Sequence, residues 1–289
     1  MGGARPIALV MIPAKDTETA MNRREALYAM AMAGLASSIP GGSAAGRQAA
    51  RTYVLVHGAW HGGWCWSRVA ERLRAAGSRV FTPTCTGLGD RAHLLSPDVG
   101  LATFIEDVVS TIETEELNDV ILVGHSFGGT VISGAADALM DRVRHLVYLD
   151  AFLPKSGRSP FSLFSPDVVE ARRKSAIEAP GLGGKTLAMP PPPPDVFGVT
   201  DPDDVAWLAR HLRPHPIKTY EDALMLKHAA LGAGRPKTFI ACTVPQYPTL
   251  DPTHEWVRSQ PDWTYKELAT GHDAMVTAPA ALSEMLLGV

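Results

Sequence analysis

The sequence predicts an α/β protein: a doubly wound, mostly parallel sheet with helices on both faces and an inserted lid. Three observations carry this. Short apolar runs alternate with amphipathic stretches from Thr52 to Asp150 and again from Lys237 to Leu287, as in a parallel sheet covered on both faces. One such run, Val120 to Val123, passes through a glycine-bounded turn, Gly124-His125-Ser126-Phe127-Gly128, into a helical stretch. Between 154 and 235 the alternation lapses into charged helical patches around a proline run.

Size and charge set the bounds. The chain has 289 residues, 46% of them hydrophobic, enough for one sizeable core plus an insertion. The net charge of −3 comes with scattered Lys and Arg, so there is no electrostatic case for a nucleic-acid partner. Cys65, Cys85 and Cys242 are too few and too spread for a disulfide framework or a metal cluster. No apolar run reaches the length of a membrane span.

Residues 1–50 read as an address. Asn22-Arg23-Arg24 precedes an apolar stretch from Ala26 to Ile39, and small residues follow at Ser43 to Ala45. This is the make-up of a twin-arginine export signal with a cleavage site, placing the mature protein in the periplasm or outside the cell; a cytoplasmic protein with a disordered tail is the alternative. Met21 is a second candidate start.

The core is expected in two pieces, 51–153 and 236–289. Thr52 to Val56 is the first strand. The turn after it, His57-Gly58-Ala59-Trp60-His61-Gly62-Gly63-Trp64-Cys65-Trp66, is rich enough in glycine to turn backbone N–H groups toward a cavity. Trp66 to Gly77 is an amphipathic helix with Val69 and Leu73 inward and Gly77 as its stop. Arg79 to Thr82 is a strand and Phe104 to Glu116 a helix. The strand Val143 to Asp150 leaves Asp150 at its carboxyl end, where open α/β sheets carry their chemistry. Residues 154–235 form the lid, with helical patches at Asp167–Glu178 and Asp203–Leu212. The prolines from Pro190 to Pro194 require an extended segment between them. Met189, Phe197, Trp207, Leu224 and Met225 are candidates to line an apolar pocket there, or simply to pack. Lys237 to Cys242 and Trp263 to Leu268 are the last strands, and Pro279 to Leu287 the terminal helix.

The elbow fits Gly-x-Ser-x-Gly between a strand and a helix, which exposes Ser126 as a nucleophile at the top of the sheet. The N–H groups of Ala59 and Phe127 are the candidate oxyanion-hole donors. His272, in a short glycine-containing loop after the last strand, fits the chain order nucleophile, acid, histidine. His125 reads as a packing residue inside the elbow, and His57 and His61 border the hole.

These motifs resemble the α/β-hydrolase superfamily, in the branch holding plant methylesterases, hydroxynitrile lyases and bacterial pyrethroid-hydrolase-like esterases. The resemblance rests on His57 to Trp66, on Gly124 to Gly129 and on Gly271-His272-Asp273, and spans about residues 52–289, most weakly across 155–235. It implies Ser126 as nucleophile, His272 as base, and Ala59 and Phe127 as hole donors. The family usually places its acid three residues past a threonine after the penultimate strand, which here is Gln246. Asp150 is the preferred acid, at the place used by haloalkane dehalogenases; Asp251 is the alternative, with Glu255 behind it. Lyases of the branch carry a threonine after the first histidine and a lysine after the catalytic one. Here those positions hold Gly58 and Asp273. The expectation is a serine carboxylesterase acting on a small, largely apolar ester through an acyl-enzyme, without metal or organic cofactor. A lyase or amidase on the same scaffold, or a non-catalytic small-molecule receptor, are the alternatives. The sequence does not reveal the oligomeric state.

Overall fold

The computed structural model describes residues 50–289, apart from residue 229 and the side chain of residue 233. The expected export segment therefore lies outside the described residues. Among those described, no helix is long and apolar enough to cross a membrane.

Strand β1 (Thr52–Val56) leads through the glycine-rich turn into helix α1 (Ser67–Ala75), which buries Val69, Ala70 and Leu73. Strand β2 (Arg79–Phe81) follows, then α2 (Leu101–Thr114), β3 (Val120–His125), α3 (Gly128–Ala138) and β4 (Val143–Leu149). Helix α2 begins three residues before the expected Phe104. The Asp222 carboxylate, far along the chain, accepts from the N–H of Leu101 at 3.0 Å. That cap satisfies one of the free N–H groups of the first turn, and nothing in the local sequence announces it.

Residues 154–235, expected as a lid, hold more than two helices and a proline run. Helix α4 (Pro166–Ser175) is capped by Ser165, whose side chain accepts from the N–H of Val168. It stops short of the expected Glu178, because Ile177 and Glu178 belong to strand β5 (Ile177–Gly181), paired antiparallel with β6 (Gly184–Met189). Gly183 and Gly184, both at positive φ, make the hairpin turn that residues with a Cβ resist. Helix α5 (Pro202–His211) starts at Asp201, which caps the N–H groups of Asp203 and Asp204. Strand β7 (His215–Pro216) pairs with β6, and the short helix α6 (Lys218–Glu221) follows.

The chain returns to the main sheet with β8 (Lys237–Cys242), then α7 (Asp251–Arg258), β9 (Thr264–Leu268), α8 (Ala274–Thr277) and α9 (Pro279–Leu287). The six-stranded sheet has the order β2-β1-β3-β4-β8-β9, and every pairing in it is parallel. Every residue of β3 and of β8 is buried, as strands covered on both faces must be. From β1 the chain moves outward to β2, then crosses back to β3 on the other side. The strand order reverses between β1 and β3, so the loops leaving their carboxyl ends flank a crevice where open α/β sheets bind ligands.

Candidate active site

Ser126 follows the last residue of β3 with φ at +52°. A non-glycine residue there carries a strain of about 1–3 kcal/mol. Backbone bonds hold it: its N–H donates to Leu149 O at 3.1 Å, and its carbonyl accepts from Phe152 at 2.9 Å and Gly129 at 3.0 Å. The turn is this tight because glycines flank it. A Cβ on Gly124 would lie 2.6 Å from Gly128 O, and one on Gly128 2.7 Å from His57 O. Ser126 is 6% exposed.

The turn after β1 lies against this elbow, since a Cβ on Gly58 would stand 3.0 Å from that of Ser126. Histidines fix its peptide groups one by one. His57 Nδ1 donates to Gly58 O at 2.8 Å, while its Nε2 accepts from the N–H of Cys85 at 3.0 Å. His61 Nδ1 donates to Ala59 O at 2.7 Å. The N–H of Trp60, a residue at φ +65°, donates to His215 Nδ1 at 3.3 Å. The indole N–H of Trp60 donates to Met189 O at 3.0 Å. With its neighbours so occupied, the N–H of Ala59 meets no acceptor among the described residues, and neither does that of Phe127. Backbone donors left free in a buried setting are available to a ligand.

Asp150 directly follows β4 at φ +42°, tied by its N–H to Ile240 O at 2.8 Å. Its Oδ2 accepts from His272 Nδ1 at 2.6 Å. Its Oδ1 accepts from His254 Nε2 at 2.7 Å and from the N–H of Cys242 at 3.1 Å. Burial alone would raise this carboxyl, but the hydrogen bonds from His254 and His272 outweigh it and hold it down to about 2. Asp150 is therefore ionised at neutral pH. Asp251, the alternative acid, instead accepts from Gln246 Nε2 at 2.6 Å and makes no hydrogen bond to His272; Glu255 is exposed.

The His272 ring is held between Tyr247, with centroids 4.5 Å apart, and Phe197 at 6.1 Å. It lies 4.6 Å from the ring of His125, whose Nε2 donates to His272 O at 3.0 Å. His125, the elbow residue next to Ser126 that sequence reading gave a packing role, thus ties the elbow to the His272 loop. The Ser126 hydroxyl and His272 Nε2 have no hydrogen-bond partner among the described residues.

A second histidine–carboxylate pair stands behind the first. His61 Nε2 donates to Asp273 Oδ2 at 3.0 Å. Its Nδ1 also faces an acceptor, Ala59 O, at 2.7 Å, an environment that favours the imidazolium form with Asp273 as counter-ion. Burial would lower His61, but Asp273 raises it; burial would raise Asp273, but His61 brings it below the usual carboxylate range. His125 stays neutral, pushed down to about 3 by burial and then by His272.

Sequence reading did not find His254, His215 or the His61–Asp273 pair as parts of this site. Each is joined to it by tertiary contact alone, so no local spacing could signal it. Among the pocket candidates, Phe197 and Met189 do border the site, and Leu224 is buried with its backbone paired to Arg158. Trp207 instead packs on Trp64, 5.0 Å away, and Met225 is 73% exposed; α5 turns the one outward from the site and an open loop the other. All three cysteines are free and buried, and burial pushes their thiols up. Among the described residues no group of three or more His, Cys, Asp or Glu is arranged to hold a metal ion.

Known proteins resemble this chain in sequence and fold. The alpha/beta hydrolase family profile matches residues 53–285. The carbendazim hydrolyzing esterase of a Nocardioides species is 42% identical over 237 residues, covering 81% of this chain and 97% of its own. Methylesterase 2 of Arabidopsis thaliana is 26% identical, covering 82% of this chain and 95% of its own. An extracellular alpha/beta-hydrolase from a Paenibacillus species superposes with a TM-score of 0.68 at 25% identity, over 82% of this chain and 98% of that one. The chain belongs to the alpha/beta hydrolase family, as a hydrolase of the carboxylesterase type.

Proposed function

We propose that the protein cleaves a small, largely apolar carboxylic ester through an acyl-enzyme on Ser126, with His272 as base and Asp150 as acid. The observation that carries this is the 2.6 Å hydrogen bond from His272 Nδ1 to a buried, ionised Asp150 beside a serine held at positive φ. The carboxylate fixes the tautomer that leaves His272 Nε2 free to take a proton, and it stabilises the imidazolium that forms. Ser126 Oγ adds to the ester carbonyl as His272 Nε2 removes its proton. The carbonyl oxygen becomes an oxyanion facing the N–H groups of Ala59 and Phe127. Collapse expels the alkoxide, which takes the proton from His272. Water then attacks the acyl-Ser126 ester by the same route and frees the acid.

His254 and the N–H of Cys242 occupy the other oxygen of Asp150, so Oδ2 is left to His272 alone. The lyase alternative is disfavoured by Asp273: a buried anion paired with His61 stands where a lyase of this branch needs a cation to receive cyanide. Carbendazim and plant-type methyl esters are the first substrates to assay, given the relatives' names. Ser126→Ala and His272→Ala are expected to lower p-nitrophenyl ester turnover by about three orders of magnitude or more, with the circular dichroism spectrum retained. Near-wild-type hydrolysis by Ser126→Ala would refute the proposal.

A further inference from the structure

Two segments 212 residues apart in sequence, the turn after β1 and the loop after β9, are joined in the interior by the pair His61–Asp273. His61 is 1% exposed and Asp273 not at all. His61 Nε2 meets Asp273 Oδ2 at 3.0 Å, and its Nδ1 meets Ala59 O at 2.7 Å. One ring thus bridges the residue that carries a proposed oxyanion donor and the chain neighbour of the proposed base. Trp64 and Phe197 flank it, with centroids 5.5 and 5.6 Å away. Asp273 is held as firmly. Its N–H donates to Phe197 O at 3.2 Å, and its carbonyl accepts from Val276 and Thr277 at 2.8 and 3.1 Å.

The direction of the Ala59 N–H depends on the two peptide groups that flank its Cα. His57 holds the first through Gly58 O at 2.8 Å, and is itself tied to Cys85 in the loop after β2. His61 holds the second through Ala59 O. Of these two histidines, it is His61 that refers the turn to the loop carrying His272. Stability is a poor account of such a pair. Burying two charges costs solvation, and an apolar pair of similar volume is often at least as stable. Asp273 Oδ1 is also left buried without a hydrogen bond, 3.7 Å from His125 Nε2, which is a further cost. What an apolar pair cannot supply is direction, because hydrogen bonds fix an angle as well as a distance.

We infer that His61 and Asp273 form a clasp that sets the Ala59 N–H relative to His272, and that both are positioning residues for catalysis. The inference rests on the esterase reading and adds to it two residues that act through Ala59 and His272. An oxyanion donor and a base matter most once the tetrahedral oxyanion forms, so a loosened clasp lowers kcat and leaves KM nearly unchanged.

The test uses His61→Phe, Asp273→Leu and the double variant on a p-nitrophenyl ester. Rates are taken per fluorophosphonate-reactive site, so a change in folded fraction cancels. Either single variant strands a buried charge or its partner and may unfold; the double leaves no unpaired charge and is expected to stay folded. In the double variant kcat per site should fall by about tenfold or more, with KM within about threefold of wild type. Its affinity for phenylboronic acid, which forms a tetrahedral adduct on an active-site serine, should fall in parallel. Where the singles fold, the double should lose no more than the worse of them, because a clasp opened at either end is already open. A double variant with wild-type kcat per site, or one whose loss lies in KM, overturns the inference. So does a double variant that cannot fold, since the pair would then serve stability. Labelling of the wild type separates the two levels. Labelled wild type with an unimpaired double variant sinks the clasp alone, whereas a wild type that is neither labelled nor hydrolytic sinks the esterase reading and the clasp with it.

Discussion

At the scale of single residues, the site turns on which carboxylate faces His272. Asp150 Oδ2 does, at 2.6 Å, while Asp251 is engaged with Gln246. Removing the charge without changing the shape separates the two. Asp150→Asn is expected to lower kcat by about three to four orders of magnitude, since an amide favours the wrong imidazole tautomer, whereas Asp251→Asn should stay within about twofold of wild type. Matched kcat measurements on a p-nitrophenyl ester decide, and equal losses would contradict the account. Ser126, His272 and Asp150 could all be named from the sequence, because a motif or a strand end marks each one. His254 could not. It sits on a helix 104 residues from Asp150 in sequence, and a histidine in an amphipathic helix carries no mark of its partner. The positive φ of Trp60 was equally hidden, since a bulky aromatic residue does not announce a left-handed turn.

At the scale of elements, the elbow works only if α3 crosses close above β1 and β3. Gly128 permits this, for its added Cβ would meet His57 O at 2.7 Å and Val56 O at 2.8 Å. Backbone atoms cannot swing aside as a flexible side chain would. Gly128→Ala is therefore expected to destabilise the fold by about 2 kcal/mol or more, in the range of overpacking in a core, and to cut activity with it. Denaturant unfolding checks the first effect, and an unchanged midpoint would contradict it. The strands of the main sheet were legible because their apolar runs are short, β-branched and bounded by turns; β8 matches its expected limits residue for residue. The hairpin of β5 and β6 was not. Strand β5 reads Ile177-Glu178-Ala179-Pro180-Gly181, with charge and proline that propensity places elsewhere, and its pairing with β6 across Gly183 and Gly184 outweighs that preference.

At the scale of the whole molecule, the cluster of buried histidines makes stability depend on pH. Burial is the main cause of the depressed pKa in each of three: His57 is lowered to about 4, His125 to about 3, and His215 falls well below the ordinary histidine value. A depressed group contributes its stability above the unfolded pKa, near 6.5, and loses it as pH falls toward the folded value, because the unfolded chain takes up protons that the folded one refuses. His61, raised by Asp273, acts in the opposite sense, but it is one ring against three. Each tenfold preference for the neutral ring is worth about 1.4 kcal/mol, and 1 kcal/mol moves the midpoint of a domain this size by about 2–4 °C. The thermal midpoint should therefore fall by ~10 °C between pH 7 and pH 4.5, and a flat or rising midpoint would contradict this reading. The central claim, that chain segments from β3, β4 and the loop after β9 converge to make Ser126 a nucleophile, is tested most directly by trapping the covalent enzyme. Intact mass after treatment with a fluorophosphonate should show one adduct per chain, peptide mapping should place it on Ser126, and Ser126→Ala should show none. An adduct on another residue, or one that persists in Ser126→Ala, would contradict the account.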